Sequence, residues 1–121
     1  MNRLTRGLKT AIFAAKYSKF YSHKVGAAVF IGSRLISIGY NQKKSHPRNQ
    51  AIWSRHAEFD SLIHLMGEDS SKAILFVARL TRSNKISCAK PCPTCCELIT
   101  KLGIRRVFYT NYKGQLEPLI V

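Results

Sequence analysis

Residues 73–80 read AILFVARL, and they are followed by CPTCCELITKLG at 92–103 and RRVFYT at 105–110. The first stretch is a nearly continuous apolar run of strand length, which fits a central strand buried on both faces. The second has Pro93 in its first turn and Gly103 just past its last apolar residue, so both ends of a helix are marked. RRVFYT reads as a further strand. A strand, a helix of crossover length and a second strand place the two strands parallel in one sheet, which makes the fold class α/β.

Upstream, Leu4, Leu8, Ile12 and Ala15 recur at helical spacing with Arg3, Arg6, Lys9 and Lys16 between them, predicting an amphipathic helix over 4–17 that covers one sheet face. VGAAVFI (25–31) and RLISIGY (34–40) flank Gly32-Ser33 and read as an antiparallel hairpin. Residues 41–54, NQKKSHPRNQAIWS, are polar, basic and broken by a proline, so they read as a loop before a helix over about 55–66 that ends near Gly67. TRSNKISCAK (81–90) reads as a second loop. Downstream, Asn111 to Gly114 look like a turn into a last antiparallel strand, with Pro118 marking that strand as an edge. A C-terminal β-hairpin is expected.

A chain of 121 residues is expected to form one domain over 1–121. With 45% hydrophobic and 21% charged residues, its composition is that of a folded protein and excludes a disordered one. Twenty Lys+Arg against six Asp+Glu give a formal charge of +14, a field that attracts anionic small molecules or polyanions. The basic N-terminus is interrupted by Lys9 and Lys16 and lacks a cleavage signature, and nothing approaches the ~20 apolar residues of a membrane span. A cytoplasmic protein without membrane contact is expected.

All four cysteines, 88, 92, 95 and 96, lie within nine residues, a cluster that closes no useful disulfide loops and points to metal binding in a reducing compartment. Zinc takes thiolate and imidazole donors in a tetrahedron, and a catalytic site uses three protein donors to leave one position open. His56, Cys92 and Cys95 supply that number. Cys92 and Cys95 are three apart at a helix start, where they share a face and the helix end favours thiolates. Glu58, two residues after His56, is a carboxylate for which a structural zinc site has no use; beside water activated by the metal it can take a proton and deliver it to a ring nitrogen and a leaving amine. The competing reading is a closed structural site of Cys88, Cys92, Cys95 and His56, with Glu58 on a solvated helix face. Cys88 and Cys96 otherwise read as packing residues.

His56-Ala57-Glu58 with Pro91-Cys92-Pro93-Thr94-Cys95 resembles the paired signature of the cytidine deaminase superfamily, and the resemblance extends over nearly the whole chain. YSKFYSHKVGAAVF is similar to free-nucleoside cytidine deaminases, whereas GYNQKKSHP and HAEFDSL look more like deoxycytidylate deaminase relatives. The resemblance implies a three-layer α-β-α fold with a mixed five-stranded sheet, Zn²⁺ held by His56, Cys92 and Cys95, Glu58 as proton shuttle, backbone N–H groups of Ala57 and Cys92 on the base, and Asn41 on the sugar. It also implies a homo-oligomer. Lys43 stands where the free-nucleoside enzymes carry a glutamate for the sugar hydroxyls, and a cation there suits a phosphate. Deoxycytidylate deaminases usually continue into a further helix and strand.

Two enzymatic readings follow, both deaminating cytosine to uracil: one on a cytidine or deoxycytidine nucleotide in pyrimidine supply, the other on cytosine, or less readily adenine, in single-stranded DNA or RNA. In the second, the +14 charge tracks the backbone while Phe20, Tyr21, Tyr40, Trp53 or Tyr109 offer stacking surfaces. Phe20 and Tyr109, with Asn41, Ala57 and Lys43, form the candidate substrate-binding set; His46 faces either substrate or solvent. A non-enzymatic reading, a zinc-stabilised basic nucleic-acid-binding module, keeps the charge and leaves Glu58 without a task.

Overall fold

The chain is described here by a computed structural model covering residues 3–20, 23–45, 52–62 and 70–119. The three-element core read from residues 73–110 forms as expected. Ala73–Leu80 is β5, Pro93–Leu102 is α3 and Arg106–Thr110 is β7, with β5 and β7 parallel and Leu75 opposite Val107. Gly103 closes α3 in the left-handed region at φ 74°, its N–H donating to Ile99 and Thr100 carbonyls. A side chain is strained in that conformation, which is why glycine ends the helix there.

Lys24–Ile31 (β1) and Arg34–Tyr40 (β2) pair antiparallel, and β1 runs antiparallel along the whole of β5, from Lys24 opposite Leu80 to Ile31 opposite Ala73. Leu116–Pro118 (β8) pairs antiparallel with β7 after a turn, so the expected C-terminal hairpin is present and Pro118 sits on the edge strand. The main sheet has the order β2-β1-β5-β7-β8, the expected mixed five-stranded path. One short strand was missed: Ile86–Ser87 (β6), inside the segment read as a loop, pairs with Leu80 and Arg79 beyond the end of β7. Residues 41–54 also depart from the loop expected there. Gln42–Ser45 (β3) and Ile52–Arg55 (β4) pair antiparallel as a separate two-stranded sheet, since polar side chains on both faces do not prevent backbone pairing.

Alternation along the strands divides the core into two layers. Ala28 and Phe30 of β1 with Ile74, Phe76 and Ala78 of β5 face Arg3–Ala15 (α1), which buries Ala11 among them. Ala27, Val29, Leu75, Val77 and Val107 face the other way, against Ala57 and Leu62 of Ala57–Leu62 (α2) and Ile99 of α3. The result is the expected three-layer α-β-α arrangement. Helix α2 lies directly on β2 because Gly39 has no side chain: a Cβ there would fall 2.4 Å from Ser61 N and 2.6 Å from the Ala57 carbonyl. Ser37 Oγ donates to the Ser61 carbonyl at 2.6 Å, and Tyr40 N–H to Asp60 Oδ2 at 3.2 Å. These contacts fix the strand-to-helix junction that carries His56 and Glu58. No helix among the described residues is long and apolar enough to cross a membrane.

Candidate metal centre and substrate cavity

Two helix starts meet on the α2/α3 side of the sheet. His56 immediately precedes α2, Cys92 is the N-cap of α3, and Cys95 lies in the first turn of α3, so each donor is fixed by a helix boundary rather than by a free loop. His56 Nδ1 lies 3.4 Å from Cys92 Sγ and 3.4 Å from Cys95 Sγ, and all three donor atoms are within 4.8 Å of one another. Zinc bound tetrahedrally by one imidazole and one thiolate separates N from S by roughly 3.6 Å, so the spacing observed is that of a zinc site. Among the described residues this is the one group of three such donors. Cys88 lines the adjoining cavity without joining it, and Cys96 turns away to donate its thiol to the Pro91 carbonyl at 3.6 Å. The donor set is therefore three, as a site with an open coordination position requires.

Glu58 is 5% exposed, in the first turn of α2, and Cys95 is 4% exposed beside it. Burial pushes the Glu58 carboxyl above the usual carboxylate range; its own backbone N–H, the His56 charge and a hydrogen bond with Cys95 partly offset this. Burial likewise pushes the Cys95 thiol up, and the neighbouring Glu58 carboxylate and Cys92 add to the effect. A divalent cation at the three donors reverses these effects at once, because it makes every negative charge there favourable. The corner is built for a cation.

The donors and Glu58 form one end of a cavity of about 210 Å³. Of the residues expected to touch substrate, Phe20, Asn41 and Ala57 line it. Asn41 is held by both ends of its amide: Oδ1 accepts from Val25 N–H at 2.9 Å and Nδ2 donates to the His23 carbonyl at 2.6 Å. Its first role is to splice the end of β2 to the start of β1, which leaves the second Nδ2 hydrogen for a ligand. Tyr109 stands outside the cavity lining. It lies on β7, and its hydroxyl donates to Glu117 Oε2 on β8 at 3.0 Å. Lys43 is on β3 opposite Ser54; its side chain, like that of Trp53, lies outside the described residues, as do Tyr21, His46 and His64. Sequence reasoning missed Arg79, His23 and Lys90, which also line the cavity.

Fold and site together define a metal-binding α/β scaffold, two helix starts presenting one histidine and two cysteines on one face of a mixed sheet. Residues 1–111 match the family model described as the cytidine and deoxycytidylate deaminase zinc-binding region, and the chain belongs to that family, with Zn²⁺ as its cofactor. It is 30% identical to a deoxycytidylate deaminase of Schizosaccharomyces pombe over 116 residues, an alignment covering 87% of this chain and 36% of that protein. The chain thus spans about a third of the length of this curated relative. Among solved structures it is similar in fold to a cytidine deaminase from Burkholderia pseudomallei, with a TM-score of 0.74 at 20% identity over 98% of this chain and 92% of that one. A dCMP deaminase from the cyanophage S-TIM5, in complex with dCMP and dUMP, gives a TM-score of 0.64 at 22% identity over 93% and 85%.

Proposed function

We propose that residues 1–121 act as one zinc-dependent hydrolytic deaminase domain that converts cytosine to uracil in a cytidine or deoxycytidine nucleotide. The observation that carries this reading is Glu58, a buried carboxylate next to a three-donor metal site and facing a cavity. A structural site gives such a group no task and makes its burial a cost.

His56, Cys92 and Cys95 would hold the zinc, which when bound supplies the Lewis acidity that lets water ionise near neutral pH. Glu58 would accept one proton of the attacking water and pass it to the ring nitrogen next to the amino-bearing carbon, then accept the second proton from the new hydroxyl on that carbon and pass it to the departing amine. One water is consumed and one ammonia leaves. Ala57 and Cys92 offer backbone N–H groups to the base, Phe20 an aromatic face, Asn41 its remaining amide hydrogen to the sugar, and Lys43 a cation.

The nucleotide is favoured by the likeness to a deoxycytidylate deaminase, the relative at 30% identity. A second reading, single-stranded DNA or RNA as substrate, is favoured by the charge of +14. A cytoplasmic homo-oligomer is the setting we assign, since cysteines clustered as metal donors suit a reducing compartment. Assaying the zinc-loaded protein side by side on deoxycytidine monophosphate and on cytosine-containing single-stranded DNA separates the two. Turnover of the mononucleotide alone is expected; turnover of the strand alone would replace this reading with the second.

A further inference from the structure

Among the described residues, Arg79 is a charged residue with no acidic partner against its guanidinium. Ala73, Leu75 and Val77 of β5 face α2 and α3, and Arg79 continues that alternation at the end of the strand, where it lines the cavity. Its Nε is buried and has no hydrogen-bond partner among the described residues. The residues paired with it on either side, Val25 of β1 and Ser87 of β6, carry no charge. His23 and Lys90 line the same cavity, and Glu58, at the metal end, is the one acidic residue among the lining residues. Burial first, and the neighbouring Arg79 and His56 after it, hold the His23 imidazole below its usual range.

A partly desolvated guanidinium without a counter-ion is unfavourable, and it is tolerated where a ligand completes it. Its planar fork matches phosphate oxygens, and a second cation and a neutral imidazole donor beside it add to the match. We propose that Arg79, supported by Lys90 and His23, is the residue that binds the substrate's phosphate, and so selects a cytosine nucleotide over the free nucleoside. This rests on the reading that the cavity takes a cytosine-bearing ligand and goes beyond it in assigning the group that reads the phosphate. The phosphate is either the terminal group of a mononucleotide or a diester of a strand, and both present the same oxygens.

The test is calorimetric binding to the zinc-loaded protein of deoxyuridine, of deoxyuridine monophosphate, and of a short single strand containing one deoxyuridine and no terminal phosphate. Wild type is expected to bind the monophosphate about 10- to 100-fold more tightly than the nucleoside. Arg79→Met should bring that ratio to within a few-fold, and Arg79→Lys should fall between, keeping charge but losing the fork. The same dependence seen with the strand and not with the monophosphate would support the phosphate role and assign it to a backbone diester. Thermal denaturation accompanies each variant: Arg79→Met without ligand should be as stable as wild type or more so, because it removes a charge whose buried Nε has no partner among the described residues. Binding in wild type no tighter than that of the nucleoside for both the monophosphate and the strand, a preference unaltered by Arg79→Met, or a marked fall in Tm in that variant would each overturn the proposal. Failure of the deaminase reading is seen separately: phosphate-dependent binding through Arg79 without turnover of any cytosine substrate would sink that reading and leave the phosphate wall standing.

Discussion

Glu58 and the three donors beside it make separable demands on the molecule. Glu58→Gln keeps size and polarity while removing the proton acceptor, so turnover should fall by about 10²- to 10⁴-fold, with zinc content by elemental analysis unchanged. Cys95→Ser should lose the zinc itself, because Cys95 is one of three donors within 4.8 Å of one another. Cys88→Ala should keep a full complement of zinc, and loss of metal in that variant would restore the closed four-donor site that the sequence left open. These four residues were legible because each motif is short and its geometry local: one turn of helix puts Cys92 and Cys95 together, and Glu58 follows His56 by two positions. Arg79 was not legible. It sits in AILFVARL, where a charge near the end of an apolar run reads as the run's boundary, and the face it occupies depends on the pairing of β1 with β5. The available signal was its place in the alternation, two residues after Val77. Tyr109 shows the opposite limit, since an aromatic residue near a motif carries no mark of a partner such as Glu117 across a hairpin.

At the scale of elements, the site depends on how closely α2 lies on β2. Gly39→Ala would bring a methyl group to 2.4 Å from Ser61 N and 2.6 Å from the Ala57 carbonyl, and backbone atoms cannot swing aside as a side chain can. The helix must shift, which should cost about 1–3 kcal/mol or more in stability and carry His56 and Glu58 out of register with Cys95. Denaturant unfolding and zinc content should therefore both change in that variant; a protein of normal stability and full zinc would contradict this account of the junction. The long elements could be read because periodicity and boundary residues agreed in β5, α3 and β1. The β3–β4 pair could not, because neither QKKS nor IWSR alternates in polarity and the chemistry that pairs them lies in the backbone. Strand β6, two residues long, is recognisable only from its partner.

For the whole molecule, zinc at this site would tie α2 and α3, two helices of one layer, to each other, since His56 comes from one helix boundary and both cysteines from the other. Chelation should lower Tm, and the decrease should grow with the zinc concentration used before it, as linkage between binding and folding requires. The charge of +14 has a distinct signature. If the substrate is a mononucleotide, KM should rise only a few-fold between 50 and 200 mM salt, whereas a strand contacted at 6–10 phosphates would lose about 10³- to 10⁵-fold in affinity over that range. Light scattering at working concentration should give a mass above that of one 13.7 kDa chain. The fold of the whole was visible early because one parallel crossover settles the sheet; the substrate was not, because charge and cavity walls come from residues far apart in sequence. The central claim is that Glu58 beside this zinc site performs hydrolytic deamination. Its most direct test is conversion of deoxycytidine monophosphate to deoxyuridine monophosphate by zinc-loaded wild type and by Glu58→Ala matched for zinc content. Turnover in wild type with none above background in the variant is the expected result; equal turnover in both, or none in the zinc-replete wild type on any cytosine substrate, would contradict it.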